Sequence, residues 1–201
     1  MPRTLLLGGD VTDPNYVHDI SQAADIIRHA DRILVIGCSG GGKSTLSQAV
    51  AWRFGLTYIS IDRDILWLPG WLQRDNAEQR EIMAARVRED RWILDGTSPR
   101  SFDIRLPRTD IVVWVRMPRL LCIWAVTARW IRYFGQTRPE MAPGCPEKLD
   151  WEFLRFIWTF ERAFTPRIVA GLVEHGPNVP VFQLKSRRQM RALLDLLGIP
   201  A

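Results

Sequence analysis

The stretch "RILVIGCSGGGKSTLSQA", residues 32–49, decides how the chain is interpreted. It joins an apolar run to a glycine-rich loop and then to a helix-like segment. Gly37, Gly42, Lys43 and Ser44 fit the pattern G-x-x-x-x-G-K-[ST] of the phosphate-binding loop, or P-loop. A strand before the loop and a helix after it are the context that this motif requires. The sequence therefore predicts a nucleotide site, but the motif alone does not indicate a reaction.

Each residue type in the loop has a role in holding a nucleotide. Glycines let the chain turn back so that successive N–H groups point at phosphate oxygens. The helix that follows adds unpaired N–H groups and a positive dipole end. The lysine reaches the β- and γ-phosphates, and the serine hydroxyl can bind Mg²⁺. We therefore expect ATP and Mg²⁺, with the nucleotide held by Gly37, Ser39, Gly40, Gly41, Gly42, Lys43, Ser44 and Thr45.

Composition limits the class of protein and the kind of partner. The chain has 201 residues, 47% of them hydrophobic, and a formal net charge of +5. The basic balance favours nucleotides, other phosphorylated molecules or nucleic acid, although no nucleic-acid-binding motif is visible. No apolar run approaches the ~20 residues of a membrane span. Three widely spaced cysteines indicate reduced thiols in a cytoplasmic protein, and Cys145 lacks zinc-ligand neighbours, so we expect it to be dispensable.

Apolar strands alternate with helical patterns along most of the chain. The segments that read as strands are residues 33–36, 57–61, 91–95, 110–115 and 179–184. Because most of them are apolar throughout, we expect a parallel sheet covered on both faces. Residues 1–30 are expected to form an N-terminal extension and residues 31–201 a P-loop domain. Pro166 is expected to break or kink the helix that begins at Trp151.

Carboxylates follow two of the predicted strands, at the sheet edge where ligands bind in parallel α/β folds. Asp95 ends one strand and can hold Mg²⁺, directly or through water, together with Ser44, or order the loop lysine and serine. Asp62 and Asp64 follow another strand. Asp62 can accept the proton of an acceptor hydroxyl, and both are also candidates to bind the acceptor. The alternative is that either aspartate only caps a turn.

Several longer motifs carry a family resemblance. The segments are "IGCSGGGKSTL", "WLPGW", "WILDGT", "FDIRLPRTDIVVWV", "MPRLLCIW", "GQTRPEMAPGCPEK", "DWEFLRFIWTF" and "LKSRR". Together, over about residues 32–190, they resemble the bacterial proteins named DNA topology modulation protein, which are P-loop proteins related to adenylate kinase. The resemblance implies a P-loop NTPase three-layer sandwich with a five-stranded parallel sheet of adenylate-kinase type and a helical lid. It also implies a link to DNA supercoiling that no residue explains.

Arginines cluster where the resemblance places the lid, at about residues 129–155. Phosphoryl transfer needs positive charge around the moving group, and the arginine fork suits that task. Arg129 and Arg132 share a helix face, and Arg138 lies in the following Pro/Gly loop, so we expect all three to act in catalysis. The alternative for each is a solvated helix face. By the same resemblance, Arg187 borders the adenine, although the start of a helix explains that turn equally well.

The acceptor side of the site is less defined. The segment "DRDILWLPGW" does not resemble an AMP pocket of adenylate kinase. Trp67 and Trp71 can stack on a flat acceptor, or they can pack in the core. Arg100 can bind the acceptor or its phosphate. The sequence thus favours a kinase that transfers the γ-phosphoryl group of Mg·ATP to a nucleoside- or nucleotide-like small molecule. The alternatives are an ATP-dependent regulator without fast transfer and a protein that alters DNA topology.

Overall fold

A parallel sheet forms the centre of the protein, whose computed structural model describes residues 13–200. Its six strands are β1 (Tyr16–Val17), β2 (Arg32–Gly37), β3 (Thr57–Ser60), β6 (Trp92–Asp95), β7 (Ile111–Val115) and β8 (Val181–Leu184). They run in the order β1-β8-β7-β2-β6-β3, and all neighbouring strands are parallel. Two further strands, β4 (Trp67–Leu68) and β5 (Leu72–Gln73), form a small antiparallel hairpin.

Seven α-helices lie along the described part of the chain. They are α1 (Ile20–His29), α2 (Lys43–Phe54), α3 (Asn76–Arg86), α4 (Phe102–Arg105), α5 (Arg119–Arg132), α6 (Trp151–His175) and α7 (Arg187–Leu196). A short π-helical segment, Ile61–Leu66, follows β3. Side-chain caps fix several helix starts: Asp75 accepts from the amide of Ala77, and Asp150 from that of Phe153. Within residues 13–200, no helix is long and apolar enough to cross a membrane.

The central strands explain the layered architecture. Every residue of β6 and β7 is buried, so both faces of the sheet must be covered. The helices provide that cover, and the glycine loop joins β2 to α2, which confirms the P-loop three-layer α/β sandwich. The expected count of five strands is wrong, because β1 adds a sixth by pairing with β8.

The sixth strand comes from the segment expected to be an extension. Tyr16 pairs with Val181, and α1 buries Ala23, Ala24 and Ile27 against the rest of the protein. Helix α1 packs on α7, the last helix of the chain. Residues 16–29 are therefore part of the core, while residues 1–12 lie outside the described residues.

Proline does not end the long helix α6. The helix continues through Pro166 to His175, so the prediction of a break there is wrong. Proline removes one backbone donor and crowds the preceding turn, but tertiary packing holds the rest of the helix. Gly171 of α6 lies so close to Phe102 that an added Cβ would be 2.6 Å from its ring. Helix α6 therefore packs closely on α4 beyond the proline.

Candidate active site

The P-loop is held in a tight turn between β2 and α2. Gly37 has a φ of 139°, and a Cβ there would lie 2.0 Å from the carbonyl oxygen of Val115, so only glycine fits. Helix α2 begins after Gly42, whose φ is 91°, and no side chain caps its first turn. The first N–H groups of α2 are therefore available to an anion.

A threonine after β6 fixes the first residue of the loop. Oγ1 of Thr97 accepts a hydrogen bond of 2.6 Å from the amide of Gly37 and donates one of 2.9 Å to its carbonyl. The contact joins residues that are 60 positions apart. Sequence reasoning missed Thr97, although it lies inside the motif "WILDGT". Its hydroxyl couples the phosphate loop to the segment that follows Asp95.

Ser44 and Asp95 meet as the sequence predicts. The Ser44 hydroxyl donates a 2.6 Å hydrogen bond to Oδ2 of Asp95, and the Tyr58 hydroxyl donates one of 3.2 Å to the same oxygen. Oδ1 of Asp95 is buried without a partner. A buried carboxylate oxygen beside a serine hydroxyl is a suitable ligand set for Mg²⁺. These two side chains therefore fit the metal that a P-loop site requires.

Burial controls the charge of this centre. Asp95 is only 5% exposed, and this burial raises its pKa, whereas Lys43 and the Ser44 hydroxyl act to lower it. Burial, assisted by the charge of Asp95, also raises the pKa of Tyr58 to about 12. Tyr58 therefore remains a neutral hydrogen-bond donor at pH 7, a role that sequence reasoning did not assign.

Two basic side chains lie at the loop. Nζ of Lys43 donates to the carbonyl of Cys38 at 3.1 Å. An added Cβ on Gly42 would lie 3.2 Å from Nη1 of Arg187, which places that guanidinium against the loop. Arg187 is the first residue of α7, and Ser186 caps this helix through the amide of Gln189. The structure thus brings Lys43 and Arg187 together at the proposed phosphate site.

The two aspartates after β3 have different surroundings. Asp64 accepts from the amide of Ser60 at 2.8 Å and pairs with the guanidinium of Arg63, so its carboxylate is used in the turn. Asp62 is exposed, and its side chain has no hydrogen bond or ion pair with residues 13–200. Its charge acts on the centre: it adds to the rise in the pKa of Asp95 and opposes the fall, caused mainly by burial, in that of Arg129. Asp62 is thus close enough for its charge to act on both groups, whereas Asp64 is held by Ser60 and Arg63.

Two of the three predicted lid arginines converge on a glutamate that the sequence reasoning missed. Oε1 of Glu147 lies 3.0 Å from Nε of Arg129 and 2.8 Å from Nε of Arg138. Arg132 is exposed and stacks on its neighbour Tyr133, so the structure does not bring it to this group. The loop between α5 and α6, which carries Glu140 and Glu147, also contacts α2, because Nε2 of Gln48 donates to Oε1 of Glu140 at 3.1 Å.

Trp67 and Trp71 pack against the loop between α5 and α6 and do not line an open cleft. Trp67 and Trp71 are in edge-to-face contact, with ring centroids 5.3 Å apart, and pack on Met141, Ala142 and Cys145. Cys145 is fully buried; its thiol donates to the carbonyl of Leu68 and accepts from the amide of Trp71. The structure therefore argues against the expectation that Cys145 is dispensable, and it gives both tryptophans a packing role.

Arg100 lines a cavity beside the candidate centre. The cavity has a volume of about 350 Å³ and reaches Ile61, the residue before Asp62. Gly96 connects the two regions: an added Cβ there would lie 2.7 Å from that of Ile61. The close contact packs the turn after β6 against the π-helical segment. A small acceptor has space against the π-helical segment that carries Asp62.

Comparison with known proteins finds structural likeness only. No family model matches the sequence, and no curated protein matches it. The resemblance to the DNA topology modulation proteins therefore remains a prediction. Solved structures with a similar course of the chain include shikimate kinase from Bacteroides thetaiotaomicron, which is 17% identical, with a TM-score of 0.48 and coverage of 85% of this chain and 99% of that one.

Other kinases give similar values. A gluconokinase from Sinorhizobium meliloti 1021 is 15% identical, with a TM-score of 0.44 and coverage of 83% of this chain and 91% of that one. Deoxyadenosine kinase from M. mycoides with bound dCTP is 14% identical, with a TM-score of 0.42 and coverage of 83% and 98%. At such low identity no residue role transfers to this chain. The parallel sheet and the glycine loop between β2 and α2 show a P-loop α/β fold.

Proposed function

We propose that this protein is a kinase that transfers the γ-phosphoryl group of ATP to a hydroxyl group of a small acceptor. The observation that carries the proposal is the carboxylate of Asp62, which has no partner among residues 13–200 and whose charge acts on Asp95 beside the P-loop. A protein that only binds a nucleotide does not need a free carboxylate at that position. A kinase does, because the acceptor hydroxyl must be oriented and must lose its proton.

The residues have distinct roles in this reaction. Amides of the P-loop and Lys43 would hold the phosphates, and Ser44 and Asp95 would hold Mg²⁺, which neutralises phosphate charge when bound. The acceptor oxygen forms a bond to the γ-phosphorus while the bond from that phosphorus to the β,γ-bridging oxygen breaks. ADP leaves with the electron pair of the broken bond, and Asp62 accepts the proton of the hydroxyl.

The lid arginines would act on the transferring group. Oε1 of Glu147 lies within 3.0 Å of the Nε atoms of Arg129 and Arg138, although neither Nε has a hydrogen-bond partner in the described part of the chain. Within residues 13–200 the terminal nitrogens of both forks make no hydrogen bond, so they are available to a ligand. These nitrogens form the planar, bidentate end that suits phosphate oxygens. Arg187, beside the loop, would contact the nucleotide. Arg132 has the weakest structural support of the proposed catalytic residues.

Acceptor-stimulated release of ADP tests this function. Wild-type protein should form ADP faster when a panel of nucleosides, nucleotides, sugars and sugar acids is added. Asp62→Asn should lower that stimulated rate by about 10²-fold or more, while the dissociation constant for ATP stays unchanged. Asp90→Asn is the matched control, because Asp90 is also an exposed aspartate but precedes β6, at the opposite end of that strand from Asp95.

The alternatives give different results in the same assay. A nucleotide-dependent regulator would bind ATP, but no acceptor would raise ADP release. A DNA-binding protein would bind duplex DNA with an affinity that falls steeply as salt increases. Full acceptor-dependent turnover by Asp62→Asn would show that the assignment of Asp62 is wrong.

A further inference from the structure

The cavity beside Asp62 has a polar lining with a marked charge imbalance. It lies between the π-helical segment Ile61–Leu66, helix α3 and the turn that follows β6. At about 350 Å³ it has the size of a small-molecule site. The residues lining it include two arginines and no carboxylate; the polar members are Gln73, Asn76, Gln79, Arg80, Ser98, Arg100 and Ser101.

The two lining arginines differ in how their charge is compensated. Arg80 forms an ion pair with Asp103 and donates to the carbonyl of Arg100. Arg100 is exposed and makes no ion pair with a carboxylate of residues 13–200. An arginine on a cavity wall without a protein counter-charge offers its planar fork to a ligand.

A third arginine lies behind the cavity wall. Arg105 is fully buried and donates to the carbonyls of Gly96 and Ser98, at 2.9 and 2.7 Å. Burial lowers its pKa to about 9, so it stays charged at pH 7. Within the described chain it pairs with no carboxylate, and its Nε has no hydrogen-bond partner. In such a poorly solvated position its charge adds positive potential to the cavity.

We infer that the acceptor is an anion: a small hydroxy compound whose carboxylate or phosphate group is bound by Arg100, with Arg80 at its side. This inference rests on the proposed kinase function, because it assigns the substrate of the same site. The anionic end would lie at Arg100 and the hydroxyl end at Asp62. The three arginines would repel a cationic acceptor and give little to a neutral one, since Asp103 is paired with Arg80 and Asp62 would lie at the hydroxyl end.

Matched acceptor pairs test the inference with the whole protein. Ribose is compared with ribose 5-phosphate, and glucose with gluconate, which separates the two kinds of anion from their neutral counterparts. ADP formation should depend on the anionic members. Arg100→Gln should raise their KM by about 10- to 100-fold, the effect expected for one charged hydrogen-bonding group, with kcat and the dissociation constant for ATP unchanged. Arg88→Gln, at an exposed arginine that does not line the cavity, should change nothing.

Direct binding separates failure of this inference from failure of the proposed function. Ribose 5-phosphate and gluconate are titrated calorimetrically into wild-type protein and Arg100→Gln, so that no transfer is needed. Binding of either anion that weakens in the variant supports the inference, even where no ADP forms and the kinase function fails. Equal use of neutral acceptors, an Arg100→Gln variant that matches wild type, or no anion binding by wild type would overturn it.

Discussion

Replacing Glu147 by glutamine should destabilise the loop that carries the two site arginines. One oxygen of Glu147 lies 3.0 Å from Nε of Arg129 and 2.8 Å from Nε of Arg138, and the glutamate side chain is only 5% exposed. Glutamine preserves the shape but removes the negative charge between two guanidinium groups. Burial and the nearby charge of Arg138 already lower the pKa of Arg129, so the loss of Glu147 leaves a costly pair of like charges.

The size of the effect follows from burial. Removal of one partner of a fully buried ion pair costs ~3–5 kcal/mol. The two arginine side chains keep 22% and 13% of their exposure, so water screens part of the repulsion. We expect the free energy of unfolding to fall by about 2–3 kcal/mol. For a chain of this length that corresponds to a fall in melting temperature on the order of 4–12 °C.

Urea unfolding monitored by tryptophan fluorescence measures this change, since the chain has nine tryptophans. Hydrogen exchange reports local opening: the amide of Glu147, which donates to the carbonyl of Gln136 at 3.0 Å, should exchange faster in the variant. Glu152→Gln is the control. Glu152 is exposed at the start of α6 and has no ion pair within the described chain, so its replacement should cost less than about 0.5 kcal/mol.

A second substitution makes the reasoning refutable. Arg138→Gln should lower the stability of wild type, because an ion pair is lost. In the Glu147→Gln background it should raise stability, because repulsion between Arg138 and Arg129 is relieved. The same effect of Arg138→Gln in both backgrounds, or equal stability and exchange for Glu147→Gln and Glu152→Gln, would refute the account of this cluster.

Three further predictions concern the site and its loop. Asp95→Asn should lower turnover yet raise the free energy of unfolding at pH 7. Burial raises the pKa of Asp95 in the fold, so the ionised form lowers the stability of wild type. The excess free energy of unfolding of the variant over wild type should therefore grow as the pH rises above 3.8 and vanish below it. Urea titrations at several pH values measure this difference. Cys145→Ala should cost about 1–3 kcal/mol in the same urea assay, since two backbone groups lose their partner; an unchanged midpoint would restore the view that the residue is dispensable. Arg138→Ala should reduce kcat by up to ~10³-fold, much more than the affinity for ATP; equal losses would make it a simple nucleotide-binding residue.

The local signals of the sequence predicted the centre of the fold. Apolar runs predicted the strands that carry the P-loop and Asp95. The loop itself was predicted by the spacing of Gly37, Gly42, Lys43 and Ser44. Asp95 was predictable because a carboxylate at the end of an apolar strand needs a partner. Each of these features depends on residues that are neighbours in the chain or on a regular period.

Long-range contacts were not predictable in this way. Thr97 contacts Gly37 across 60 positions, and the Tyr58 hydroxyl reaches Asp95 across 37. The hydrogen bond from the amide of Trp71 to the thiol of Cys145 joins residues 74 positions apart. The roles of both residues were therefore predicted from their local sequence alone. The strand β1 has only two residues, too few for a periodic pattern. Tertiary packing decides all of these features.

Transfer of the γ-phosphoryl group itself tests the central claim most directly. ATP labelled at the γ-phosphate is incubated with wild-type protein, Mg²⁺ and the acceptor panel, and labelled products are separated from inorganic phosphate. If the protein is a kinase, wild type should form a labelled acceptor and Lys43→Ala none, provided that the variant unfolds at the same urea concentration as wild type. Release of label only as inorganic phosphate, at a rate that no acceptor changes, would contradict it, as would full transfer by Lys43→Ala.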